Sequence, residues 1–334
     1  MTRPRLRAVV LAAGLGTRLR PLTAVLPKAL LPVLGRPLIA WTLERLAVAG
    51  VEATAINLHH RADAIPAALG DRFDGMPLVY SREPAILGTL GALHPLRDFL
   101  APADLVVLVN GDSLCRWPFE ELIARQAAPR CAQPPLATLL VSSTADTGAF
   151  GGGVAVNDAG RVVTLLPGEN PHRRFVFIGA HVFAPSLALE APGAFSDIVR
   201  DLYEPRLATG ARIDALTTSA RWHDVGTPGR YLDAVLDWAA REDPARDPEQ
   251  PVVEAGAAID AGASVHRSLL LGGARIGRAS RLDRVVIGPG VEIEARSSLE
   301  SVLVTQRSWG LAPESREDGW LVYTPLEPAA VVRT

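Results

Sequence analysis

Between residues 252 and 304 apolar side chains recur at five- and six-residue steps, and few folds can use that period. Val253, Ile259, Val265, Leu271, Ile276, Leu282, Ile287, Ile293 and Leu299 follow at steps of six, six, six, five, six, five, six and six. A helix repeats every 3.6 residues and a strand every second residue, so neither fits. Short strands joined by tight turns do fit, with one apolar side chain of each flat face pointing inward. That arrangement is a parallel β-helix, expected here as left-handed, with about 18 residues in each turn at three hexads per turn. Glycine or alanine accompanies many of these positions, as in EAGAAIDAGASV and VVIGPGVEIEA. The ends of such a coil expose unpaired backbone, so homo-oligomers formed through it are expected.

Residues 1–240 have a different rhythm. Apolar runs such as RAVVLAA, EATAINL, DLVVLVN, LATLLVSS, GGVAV, RVVTLL and FVFIGAHVF alternate with helix-like stretches. The latter include PLIAWTLERLAVAG, RADAIPAALG, FEELIARQA, FSDIVRDLYEPRLATG and PGRYLDAVLDWAARE. Alternation of this kind predicts an α/β domain, a Rossmann-like and mostly parallel sheet with helices on both faces. Ligands of such sheets gather at the carboxyl ends of the strands. REDPARDPEQP, residues 241–251, is charged and proline-rich and reads as a linker. Residues 305–334 show no repeat and receive no assignment, although they contain the apolar run WLVY.

Composition limits the function classes. Hydrophobic residues make up 48% of the 334 and charged residues 21%, ordinary for one large or two average globular domains. A net charge of -2 offers no basic field to nucleic acid or to an anionic membrane. Cys115 and Cys131 have neither metal spacing nor a redox motif, which fits a reducing compartment. The opening MTRPRLRAVVLAAGLGTRLR breaks its apolar run at glycines and arginines, too early for a signal peptide or a membrane span. A cytoplasmic location is expected.

The densest chemistry lies in AVVLAAGLGTRLRPLTAVLPKALLPV, residues 8–33. An apolar strand runs into the turn Gly14-Leu15-Gly16-Thr17, where glycine lets backbone amides approach phosphate oxygens closely. Arg18 adds a fork of donors for phosphate. Lys28, ten residues later, is the only lysine among 34 basic residues. Arginine replaces lysine freely on a solvated surface, but not where a compact ammonium must reach one point between crowded oxygens. A dinucleotide fingerprint fits poorly, because position 19 is leucine and the second strand ends Asn57-Leu58-His59-His60 without an acid. The P-loop pattern is absent as well.

Residues 11–32 resemble the signature L-A-[AG]-G-x-G-T-R-L-x-P-L-T-x-x-x-P-K-x-L-x-P of the sugar-1-phosphate nucleotidyltransferases, or NDP-sugar pyrophosphorylases, and the resemblance extends over residues 7–240. It implies that Gly14, Gly16 and Arg18 hold a triphosphate, with Leu11, Ala13 and Thr17 in the same nucleotide-binding run. It assigns Lys28 to the phosphates in the transition state. A second block, SREPAILGTLGAL, is similar to the family's E…LGTAGAL and points to Glu83, Gly88 and Thr89 at the base. A carboxylate at position 83 can accept two hydrogen bonds from guanine N1–H and the amino group, where uracil offers one donor.

Asp112 closes the run LVVLVNGDSL, where a carboxylate can hold a divalent cation. Asp224, in RWHDVGTPGRYL, reads either as a helix cap or, through the resemblance, as the partner of Asp112 in binding Mg²⁺. On the sugar side the family's Glu-Lys-Pro appears as Glu169-Asn170-Pro171, so its lysine is missing, with His172, Arg173 and Arg174 as candidate replacements. Gly151 and Gly179 occupy positions of sugar contacts. His266 falls in the coil, which is read as a support and assembly domain.

The implied reaction joins a nucleoside triphosphate and a sugar 1-phosphate, giving NDP-sugar and pyrophosphate. The attacking phosphate oxygen is already ionised, so positioning and electrostatic stabilisation supply the catalysis. Mannose-1-phosphate guanylyl transfer is the first expectation. Uridylyl transfer to N-acetylmuramate 1-phosphate or glucose 1-phosphate, guanylyl transfer to a heptose 1-phosphate, and a non-catalytic NDP-sugar-binding regulator stand as alternatives.

Overall fold

The computed structural model describes residues 4–128, 134–312 and 315–327, so Cys131 lies outside the described residues. The chain forms two compact units. One comprises Met1–Gly14 with Ile39–Trp222, the other Leu15–Leu38 with His223–Thr334.

The first unit is built on a mixed sheet. Its order is Val162–Thr164, Val154–Val156, Arg173–Phe183, Leu105–Asn110, Leu6–Leu11, Ala53–Leu58, Met76–Arg82 and Arg72–Phe73. Ala137–Ser142 also pairs with Arg173–Phe183, and Ile213–Thr218 pairs with Ala137–Ser142. The four strands from Leu105–Asn110 to Met76–Arg82 are mutually parallel. Leu6–Leu11 and Leu105–Asn110 are apolar on both faces, as doubly covered strands must be, and Ala8, Val9, Val10 and Val106 to Val109 are wholly buried. Leu11 stands in register with Asn57 on one side and Asn110 on the other, so the segments that follow these residues emerge at one sheet edge. The helix Phe119–Ala127 shows why the apolar period works. Phe119, Leu122, Ile123 and Gln126 are buried at helical spacing, with Glu120 and Glu121 in the first turn and Arg125 in the last.

Met76–Arg82 and Ile213–Thr218 are among the strands that escape the sequence reading. Met76–Arg82 carries a proline and a weak alternation. Ile213–Thr218 contains Asp214, an acid that looks wrong for a buried strand but is held by Arg212 at 2.7 Å and Arg125 at 3.5 Å. The stretch FSDIVRDLYEPRLATG, expected as one helix, is instead a π-helical turn, Val199–Tyr203, leading into Glu204–Ala208. Its first residues form a turn closed by Asp197, whose carboxylate accepts from the amides of Val199 and Arg200.

In the second unit the expected coil is present as three ladders of short parallel strands. Val252 pairs with Leu269, Leu269 with Val286 and Val286 with Leu303. One turn is therefore 17 residues rather than 18. The positive-φ corners repeat with the same period: Gly256, Gly273 and Gly290; Gly262, Ala279 and Arg296; Arg267, Arg284 and Ser301. The last of these corners is the tight one, separating Ser264–His266 from Leu269–Leu270. Register also corrects one inward position, because Ile287 pairs with Leu270, which joins the coil core in place of Leu271. Val253 and Ile259, expected inside, are 44% and 38% exposed because no coil precedes theirs to cover them.

The unassigned tail contributes structure. Leu321–Pro325, the WLVY run, pairs antiparallel with Val302–Gln306, and Arg316–Asp318 pairs with it in turn. This hairpin covers one edge of the coil that unpaired backbone was expected to expose. Among the described residues no helix is long and apolar enough to cross a membrane.

Candidate active site

The sequence-predicted residues fall in both units. In the first, Leu11 ends its strand, Ala13 is buried and Gly14 is exposed. Asp112 is half-buried two residues beyond the strand Leu105–Asn110, at the edge shared with Leu11. Gly179 lies in an irregularity of the strand Arg173–Phe183, with φ of 80°, and a Cβ there would run into the Asn110 amide. Glycine at 179 thus makes room for Asn110, two residues before Asp112. Sequence reasoning missed Asn110.

Glu83 is buried, 4% exposed, and its carboxylate is engaged within the protein. Oε1 accepts from Asn57 Nδ2 at 2.8 Å and Oε2 from the Leu87 amide at 3.0 Å. The adjoining turn is docked on residues 196–198. Gly88, at φ 75°, brings its Cα so close to the Ser196 carbonyl that a Cβ would stand 2.5 Å from it. Thr89 Oγ1 donates to Asp197 at 3.2 Å and accepts from the Ile198 amide at 2.8 Å.

On the sugar side Gly151 and Glu169 are exposed, and Asn170 closes a turn by accepting from the His172 amide at 3.0 Å. Arg174 is occupied with the carbonyls of Gly152, Gly153, Leu166 and Gly168, tying the glycine-rich segment to the following loop. The Arg173 guanidinium stacks over the Phe175 ring at 4.7 Å. Arg174 is thus engaged within the protein, whereas Arg173 is exposed.

The second unit gathers the cations. Gly16 caps a short 3₁₀ turn, Thr17–Leu19, and its carbonyl accepts from Thr23 Oγ1 at 2.7 Å. Thr17 and Arg18 are exposed, whereas Lys28, starting the turn Lys28–Leu30, is only 9% exposed. Its Nζ lies 3.7 Å from Asp224 Oδ1. Asp224 Oδ2 takes a second cation, Arg230 Nη1, at 2.8 Å. Arg18 belongs to the same cluster, since a Cβ on Gly226 would stand 3.1 Å from Arg18 Nη2 and 2.6 Å from Asp224 Oδ2. Asp224 is not the helix cap: Thr227 Oγ1 accepts from the Arg230 amide and starts Pro228–Glu242. Arg230 went unnoticed in the sequence because it sits on that helix, outside the signature. Three basic groups around one carboxylate leave net positive charge, an arrangement suited to polyphosphate.

Among the described residues no three His, Cys, Asp or Glu side chains gather as a metal cluster. Mg²⁺ does not require one, since it is commonly held by one or two carboxylates together with substrate phosphates and water. Asp112 in the first unit and Asp224 in the second are each a carboxylate of the kind Mg²⁺ takes.

Known proteins are similar to this chain in sequence and in fold. The profile of the family described as nucleotidyl transferase matches residues 7–241. Mannose-1-phosphate guanylyltransferase of Mycobacterium tuberculosis is 31% identical over 302 residues, 88% of this chain and 82% of the relative. Glucose-1-phosphate thymidylyltransferase of Streptomyces antibioticus is 28% identical over 297 residues, 85% and 81% of the two chains. In fold, the crystal structure of HddC from Yersinia pseudotuberculosis is similar with a TM-score of 0.59 at 21% identity, covering 70% of this chain and 99% of that one. The chain belongs to the nucleotidyl transferase family and is an enzyme of the sugar-1-phosphate nucleotidyltransferase type.

Proposed function

We propose that this enzyme transfers a guanylyl group from GTP to mannose 1-phosphate, yielding GDP-mannose and pyrophosphate in a Mg²⁺-dependent reaction. The geometric observation behind nucleotidyl transfer is the Lys28–Asp224–Arg230 cluster beside Arg18. The choice of mannose and guanine is supported by the name of the 31% identical relative. In this reading Arg18 and the glycine-turn amides bind the departing pyrophosphate. Lys28 neutralises the α-phosphate as the sugar phosphate attacks in line, so no side chain needs to take a proton. Asp224 Oδ1, 3.7 Å from Nζ, aims the Lys28 side chain. Mg²⁺, with Asp112 and Asp224 as its protein ligands, supplies charge neutralisation on the phosphates when bound.

One observation favours a second reading. Glu83 Oε1 and Oε2 each already accept one bond, from Asn57 and from the Leu87 amide, which leaves fewer lone pairs for guanine. Uridylyl or thymidylyl transfer to glucose 1-phosphate therefore stands as the alternative, with the Streptomyces relative on its side. Pyrophosphate release with Mg²⁺, across five nucleoside triphosphates crossed with sugar 1-phosphates, decides between them. Release that requires GTP with mannose 1-phosphate is expected, and a requirement for UTP or dTTP with another sugar overturns the guanylyl assignment.

A further inference from the structure

The helix Pro228–Glu242 holds the chain on both sides of the Lys28–Asp224 pair. Tyr231, wholly buried, donates its hydroxyl to the carbonyl of Pro32, four residues beyond Lys28. Arg230 Nη1 lies 2.8 Å from Asp224 Oδ2. Seven residues further along the helix, Asp237 Oδ2 accepts from His223 Nε2 at 2.9 Å and from Arg241 Nε at 2.9 Å. Seven residues make two helical turns, so Arg230 and Asp237 share one stripe of the helix. His223 precedes Asp224 in the strand Trp222–Asp224, and the one stripe therefore grips two successive residues of that strand. The helix is in turn fixed to the coil and its tail. The Gly229 amide donates to the Leu326 carbonyl at 3.2 Å, and Arg284 Nη1 lies 3.0 Å from Asp233 Oδ1.

We propose that His223 and Asp237 are positioning residues, which orient Asp224 and so set its spacing from Lys28. The inference rests on the nucleotidyl-transfer reading. Along a strand successive side chains leave on opposite sides, so fixing the ring of His223 fixes the direction of Asp224 as well. Arg230 does not do this alone. Its side chain is long and partly exposed, and can follow the carboxylate as it moves. Asp237 is a firmer anchor, because Arg241, one turn on, holds the same oxygen that takes the His223 bond. The bond also has a direction. An ionised carboxylate only accepts, so His223 carries its proton on Nε2.

That direction selects the variants. Glutamine carries an N–H donor as many bonds from the main chain as His Nε2, so His223→Gln keeps the bond that His223→Ala removes. Asp237→Ala removes it from the other side. Arg241→Ala removes a different partner of Asp237 and leaves the bond to His223 in place.

The experiment measures kcat, KM and melting temperature in the wild type, H223A, H223Q, D237A, H223A/D237A and R241A. H223A and D237A are each expected to lower kcat about tenfold with KM for the triphosphate little changed, because Lys28 acts as the new bond to the α-phosphate forms. H223Q and R241A are expected to stay near the wild type, and H223A/D237A to be no worse than D237A. A loss as large in H223Q as in H223A, an R241A as poor as D237A, or a lower melting temperature without a kinetic effect overturns the inference. Acetylation of Lys28 by acetic anhydride at low conversion gives a readout without turnover, and as the chain has one lysine, peptide mass follows a single side chain. Severalfold faster acetylation is expected in H223A and D237A, with the wild-type rate in H223Q. Equal rates in all of them overturn the positioning role. If the wild type uses no triphosphate, the transfer reading fails, and the acetylation rates still decide whether His223 and Asp237 hold the Lys28–Asp224 pair together.

Discussion

Lys28 Nζ lies 3.7 Å from Asp224 Oδ1, and the other oxygen of that carboxylate, 2.8 Å from Arg230, leaves the only lysine of the chain in a shared ion pair. Its side chain is buried, so a bulkier, forked guanidinium cannot simply take its place. In Lys28→Arg, kcat is expected to fall by about 100-fold or more, as when a preorganised electrostatic group is lost from a reacting centre. Steady-state pyrophosphate release and a melting curve together check this, and near-normal turnover in a folded variant would contradict it.

Arg230 shares Asp224 but is more exposed, and pairs of that kind add little to folding stability. Arg230→Gln is expected to lower kcat/KM about tenfold, roughly the value of one charge-assisted contact, with the melting temperature nearly unchanged. A drop in melting temperature without a kinetic effect would make Arg230 purely structural.

His181 is wholly enclosed, with Nδ1 2.6 Å from the Tyr203 hydroxyl, and burial pushes its pKa down from 6.5 to about 3. The folded chain therefore refuses a proton that the unfolded chain accepts below pH 6.5. This group's contribution is intact above that pH and is lost toward pH 3, with a slope approaching about 1.4 kcal/mol per pH unit. Denaturant titrations from pH 7 to pH 4 on the wild type and His181→Gln should show that slope only in the wild type. Parallel pH profiles would refute it.

Burial raises the Cys115 thiol to about 12. Iodoacetamide at pH 8 should leave Cys115 unlabelled in the native protein and label it fully in denaturant, as read by peptide mass. Rapid native labelling would show that the segment around it opens readily.

What the sequence disclosed follows the range of the interactions involved. The phosphate turn and the coil are short-range patterns, so the residues that define them stand close together in the chain. The Asn57–Glu83 bond joins residues 26 apart, and the Arg230–Asp224 pair depends on the angle at which a helix leaves its turn. Neither has a periodic signature. Asp214 shows the opposite failure, since its charge argues against a strand unless Arg212 and Arg125 are known to stand beside it. The motif marks Glu83 as important, but its surroundings, which decide what it does, belong to the tertiary structure.

The 17-residue register of the coil has a consequence for how such a chain can change length. Every ladder neighbour and every positive-φ corner lies one period away, so adding or removing one whole period returns each side chain to an equivalent place. Any other edit within the coil turns inward residues out and moves non-glycine side chains into or out of the corners. Growth and loss in this part of the molecule are therefore quantised, and the terminal hairpin can be carried along unchanged behind any whole number of coils.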